Sequence, residues 1–194
     1  MQRWKLGYLY TGFQIGAFLK DKVWSNENSI LEMLYFSKLL PFGKYNWRHY
    51  IGFRYSSTSD PLGGEILDIN KTDGVRGFSD DLLKGNKKLV LNYEADVFAP
   101  FKFLNFNLAF ITFADFALIS PNNSSFFESK LYQGYGVGFR IKNEQLVFPQ
   151  FQFLVGFYPN LQQEGGHFNI FNQGSIFNQL NPFQSSVPSI VAAH

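Results

Sequence analysis

The sequence predicts an all-β chain forming a transmembrane antiparallel β-barrel wall of about eight strands, and three observations carry that expectation. Apolar residues recur with period two along nearly the whole chain, while helical periodicity is almost absent. No run approaches the roughly 18 consecutive apolar residues of a membrane helix, so the only membrane-spanning form open to the chain is a closed barrel. Aromatic residues make up 19% of the 194 residues, with 24 Phe and 10 Tyr, and charged residues only 16%. An ordinary soluble domain has about 25% charged residues. That balance needs an apolar solvent or a very aromatic core.

About eight strands are expected, near residues 3–20, 28–40, 45–56, 88–98, 104–118, 130–143, 148–158 and 166–177. The first changes phase between Tyr10 and Phe13, which predicts a bulge near Gly12. In "WRHYIGFRYSS", Arg48, Tyr50, Gly52 and Arg54 oppose His49, Ile51, Phe53 and Tyr55. In "KKLVLNYEADVFAP", Leu89, Leu91, Tyr93, Ala95 and Val97 share one face, and Lys88, Asn92, Glu94 and Asp96 the other. In "YQGYGVGFRIKN", Tyr135, Val137, Phe139 and Ile141 oppose Gly134, Gly136, Gly138, Arg140 and Lys142. In "PQFQFLVGFYPN", Phe151, Phe153, Val155 and Phe157 oppose Gln150, Gln152, Leu154 and Gly156.

Alternation alone also suits a soluble sandwich. Strand length favours a membrane wall, because many of these runs reach the roughly 9–11 residues that a tilted membrane strand needs, against about 5 or 6 in soluble sheets. The connections agree: "PFGKYN", "APFKFLN" and "NEQLVF" read as short turns, whereas residues 57–87 and 119–129 are long and polar. Trp4, Trp47, Phe101, Phe103 and Tyr158, near strand ends, are candidates for an interfacial aromatic girdle.

The length fits one domain, residues 1–194. A net charge of +2 with scattered Lys and Arg gives no nucleic-acid footprint. With no cysteine, the chain has neither a disulfide scaffold nor a thiolate metal site. "MQRWKLGYLY" lacks an apolar signal core and a small-residue cleavage site, and reads as a strand already under way inside a longer protein.

The segment "GVRGF" at residues 74–78, followed by "NYEADVFAP" at 92–100 and "FADFA" at 113–117, resembles the bacterial surface antigen family, also called the 85-kDa outer-membrane-protein superfamily. The family includes BamA- and TamA-type assembly proteins and two-partner secretion translocators. The likeness spans about residues 45 to 160 and implies a sixteen-stranded barrel of which this chain is the C-terminal half. By that resemblance Val75, Arg76, Gly77 and Phe78 are the tip of a loop folded into the lumen, and Glu94 and Asp115 are its wall partners. "GYGVGFRI" resembles the glycine-rich strand that follows. The family normally starts with POTRA domains and ends on a terminal aromatic; here residues 178–194 are a polar tail, which departs from that pattern.

The residues support the same placement. Glu94 and Arg140 fall on polar faces by parity, and Asp115 interrupts the apolar "LAFITFADFALI". A carboxylate facing lipid costs a few kcal/mol near the midplane, so Asp115 is expected to face the lumen and to need a cation there. Arg76, planar and always charged, can serve two carboxylates at once. Gly134, Gly136 and Gly138 strip side chains from one strand and make room for a loop against it. Because side chains fill an eight-stranded barrel, a connection of about thirty residues enters only a larger one.

Enzyme signatures are thin. "GYGVG" lies inside an alternating strand without a following helix, His49, His167 and His194 lack metal-ligand spacing, and no G-x-S-x-G motif occurs. The expectation is therefore a non-enzyme without metal or cofactor. The resemblance implies a role in outer-membrane protein assembly or insertion, or in polypeptide translocation, in the bacterial outer membrane. Its implied partners are outer-membrane lipid, client or exported polypeptides, and assembly lipoproteins or a missing N-terminal half. Two alternatives stay open: a membrane anchor for an upstream patatin-like lipase, and a small complete outer-membrane barrel.

Overall fold

A computed structural model of the chain describes residues 2–4, 7–20, 23–58, 67–68, 74–78, 84–103, 105–120, 129–143, 150–160 and 167–172. In chain order the strands are β1 (Gln2–Trp4), β2 (Gly7–Lys20), β3 (Val23–Ser37), β4 (Leu40–Phe42), β5 (Tyr45–Thr58), β6 (Leu67–Asp68), β7 (Lys84–Gly85), β8 (Lys87–Phe103), β9 (Phe106–Ser120), β10 (Leu131–Lys142), β11 (Gln150–Phe157) and β12 (Phe168–Phe171). No helix occurs among the described residues.

Nine strands form one path in the order β1-β2-β3-β5-β8-β9-β10-β11-β12, with β4 attached to β5, and β6 and β7 form a separate ribbon. Every pairing is antiparallel. The sheet is not closed among the described residues, where β1 and β12 end the path. The single first strand expected over 3–20 is instead a hairpin. The chain reverses between Trp4 and Gly7, so that Gln2 pairs with Leu9. Gly7 opens β2 against β3, close to the Phe36 carbonyl and the Tyr35 ring, where a Cβ has no room. The bulge expected near Gly12 also lies elsewhere. Gly16 pairs with Asn28 but Ala17 with Asn26, so the register shifts between Gly16 and Ala17 while Gly12 pairs regularly with Glu32. The last expected strand, 166–177, is seen as β12 alone; residues 173–194, with the polar tail, lie outside the described residues.

The strands are long: β2, β3, β5, β8 and β9 have 14, 15, 14, 17 and 15 residues. Short reversals join β8 to β9 and β4 to β5, with Asn105 at φ 65 and Gly43 at φ 60. Asn and Gly are the residues that enter this left-handed region most easily. A second irregularity falls between Phe98 and Lys102 of β8, where Pro100 has no N–H to give the ladder.

The two faces of the sheet are inverted relative to a water-soluble one. Phe110, Val137, Phe153, Phe168 and Ile170 are 51%, 58%, 48%, 67% and 72% exposed on the apolar face. On the other face Asn92, Glu94, Asp96, Asp115, Arg140 and Gln152 are buried. Strand parity enforces this, since one strand sends successive side chains to opposite faces.

Candidate functional site

What covers the polar face is the tip of the long connection, residues 74–78. Val75, Arg76 and Phe78 are buried there, Arg76 completely. The Phe78 N–H donates to the Val75 carbonyl at 3.3 Å, closing a four-residue turn. Gly77 holds the third position at φ +69, a conformation that glycine adopts without steric cost. Its Cα packs against the Phe171 ring and the Tyr158 hydroxyl.

The floor under the tip follows from register. Asn92, Asp115 and Gly134 stand in one row across β8, β9 and β10, and Glu94, Phe113, Gly136, Gly156 and Asn169 in the next, which runs on to β12. Three of these places are glycine, and each makes room for something specific. Val75 sits over Gly134, the Phe113 ring over Gly136, and Tyr158 against both Gly134 and Gly156. Of the three glycines expected to admit the loop, Gly134 has a loop residue, Val75, nearest to it; Gly136 admits Phe113, and Gly138 lies against Leu154 and the Phe153 carbonyl.

Each of the three side-chain nitrogens of Arg76 donates. Nε donates to both Asp115 oxygens, at 3.2 and 2.9 Å, and one terminal nitrogen donates to Asp115 Oδ1 and the Tyr93 carbonyl, each at 2.8 Å. The other terminal nitrogen pairs with Glu94 Oε2. The Arg76 main-chain N–H adds a bond to Asp115 Oδ2 at 3.0 Å. The guanidinium also lies 4.5 Å from the Phe113 ring centroid, a cation–π distance. Burial alone would weaken this cation, but Asp115 and then Glu94 outweigh that penalty and hold its pKa above the ordinary arginine value. The structure thus brings Arg76 together with Glu94 and Asp115, both singled out in the sequence.

Several participants escaped the sequence reading. Asn92 Nδ2 donates to Asp115 Oδ1 at 2.8 Å and to the Gly74 carbonyl at 3.0 Å. Arg140 donates to Glu94 Oε1 at 3.1 Å, Asp96 Oδ2 at 2.7 Å and Gln152 Oε1 at 2.9 Å, so Glu94 is shared between two arginines, one on each oxygen. From the far side of the tip, Tyr158 donates its hydroxyl to the Arg76 carbonyl and Asn169 donates to the Gly77 carbonyl, both at 2.6 Å.

Tyr158 therefore corrects an expectation. It is fully buried against the loop and does not belong to an outer aromatic girdle. Burial first, and the Asp115 charge next, push its hydroxyl well above the usual tyrosine range, so it remains a donor. Of the other girdle candidates, Phe101 is 57% exposed and Trp47 half-buried, packed edge-on with Phe42. The side chains of Trp4 and Phe103 lie outside the described residues. Parity carried the missed signal: Tyr158 continues the series Gln152, Leu154 and Gly156, all on the polar face.

Chemically the site is a fastening. It immobilises a loop through charge-assisted bonds and presents no arranged nucleophile and base among the described residues. Comparisons of the chain with protein-family models, with curated proteins and with solved structures find no match.

Proposed function

We propose that the chain is part of a transmembrane β-barrel of the surface antigen type in the bacterial outer membrane. In this reading it forms the C-terminal half of a sixteen-stranded wall, and the protein acts in assembling or inserting other outer-membrane proteins or in passing polypeptides across the membrane. The observation that carries the proposal is the combination of an inverted sheet, apolar outside and charged inside, with the "GVRGF" tip fastened to the charged face by Arg76, Glu94 and Asp115. Hydrocarbon accepts the apolar face without cost, whereas water does not favour so large an exposed patch. Backbone groups at an open sheet edge are not tolerated in lipid, so β1 and β12 call for partner strands that complete the wall.

The work envisaged is noncovalent. The wall perturbs the bilayer or opens a seam for a client chain, and the loop held by Arg76 braces the lumen. Controlled depletion of the protein in its native cell, followed by quantitation of the outer-membrane and secreted proteomes, tests this. Loss of a set of barrel proteins or of an exported polypeptide is expected. Recovery of the protein in the soluble fraction, or an unchanged proteome after depletion, contradicts it.

A further inference from the structure

We infer that the polar face of β8, β9 and β10 is a binding site for a linear peptide of the type small apolar–Arg–Gly–aromatic. The chain's own residues 75–78 fill it in cis, and a segment of the same chemistry on another polypeptide competes for it. The inference rests on the geometry of the tip and does not depend on the membrane reading.

The tip is held as a peptide ligand is held. Within the tip a turn bond runs from the Phe78 N–H to the Val75 carbonyl. Bonds from the tip reach residues 17 to 92 positions away, and they engage the main chain as well as side chains. The Gly74, Arg76 and Gly77 carbonyls accept from Asn92, Tyr158 and Asn169, and the Arg76 N–H donates to Asp115. Main-chain bonds with pockets for consecutive side chains are the usual grammar of peptide recognition. Val75 enters the space over Gly134, and Phe78 joins Val90, Ile119 and Tyr132.

The receptor is organised by the wall itself. Asn92 holds Asp115, while Arg140 holds Glu94, Asp96 and Gln152, none of which requires the tip. What the tip alone supplies is a cation for Asp115, whose ion pair among the described residues is with Arg76. An emptied site is therefore acidic and selects a cation. The selected cation is arginine, because the contacts use a flat fork with donors on three sides, stacked on Phe113. A lysine ammonium reproduces neither the fork nor the stack.

The test is binding of a fluorescent peptide with the sequence of residues 72–80 to the purified protein. In the wild type the tethered tip competes at an effective concentration on the order of millimolar, so the peptide should bind Arg76→Ala protein at least about tenfold more tightly than wild type. A peptide with lysine in place of the arginine should lose about tenfold or more on the same variant. Equal binding to the two proteins, no binding to either, or no preference for arginine overturns the inference.

If Arg76→Ala protein fails to fold, protease sites placed within 59–66 and 79–83 of the wild type give the second measurement. After cleavage the excised tip should stay bound and exchange with added peptide, and Asp115→Asn should release it. Immediate loss from the wild type, or equal retention by Asp115→Asn, overturns the inference.

Discussion

Arg76 and Asp115, 39 positions apart in sequence, meet through both the side chain and the main chain of the arginine, with both side chains fully removed from solvent. A charge so buried is tolerable only while its partner is present. Removing one member of such a pair typically costs about 3–5 kcal/mol, because the survivor keeps its desolvation penalty without compensation.

Arg76→Ala and Asp115→Asn should each lower stability by roughly that amount, and the double variant by clearly less than the sum, since the two act as one unit. Denaturant unfolding of the four proteins in detergent measures this. Lys44→Ala, at an exposed turn, serves as the control and should stay within about 0.5 kcal/mol of wild type. Additive single effects would mean that the pair is not coupled.

Gly77 and Gly43 both have positive φ, at +69 and +60, but only Gly77 is crowded, by Phe171 and Tyr158, while Gly43 faces open space. Gly43→Ala should therefore cost only the backbone strain, about 1–2 kcal/mol. Gly77→Ala adds a collision that displaces the tip, so it should expose residues 57–87 to protease while Gly43→Ala does not. Equal protease sensitivity would remove Gly77 from the site.

Val137 lies midway along β10 on the apolar face, 58% exposed. In a bilayer, Val137→Lys should cost about 2–4 kcal/mol near the midplane. In water, an exposed substitution of this kind stays within about 0.5 kcal/mol. Unfolding of the variant in lipid vesicles separates the two, and a near-neutral result contradicts burial of this face in lipid.

Period-two alternation made the sheet legible, since it assigns each residue of a strand to a face, and it put Glu94 and Arg140 on the polar face; Asp115 was assigned there by the cost of a carboxylate on an apolar face. The pairing of Gln2–Trp4 with Gly7–Leu9 was not legible, because the stretch was read as one continuous strand from residue 3 to 20. The shift at Gly16/Ala17 was hidden for a related reason: it arises from an extra residue in β3, not from the strand whose phase was being read. In the site, the pairing of Arg76 with Glu94 and Asp115 was anticipated from the resemblance and from the need of Asp115 for a cation, whereas the Arg140 pairs were not. The main-chain contacts from Asn92, Tyr158 and Asn169 could not be anticipated, because they depend on where the loop crosses the sheet. Tyr158 was misplaced by its position at a strand end, although its parity already put it on the polar face.

The tip of the long connection lies on the polar face of the sheet, and a disulfide can report that placement. The chain has no cysteine, so a designed pair stands alone. A Cβ at Gly134 would come within 2.6 Å of Val75 Cγ1, which places residues 75 and 134 side by side. Val75→Cys combined with Gly134→Cys should form an intramolecular crosslink in native membranes under mild oxidation, and adding Asp115→Asn should reduce its yield. Absence of that crosslink, while Val75→Cys remains freely reactive to a water-soluble thiol reagent, would mean that the tip does not lie on the polar face.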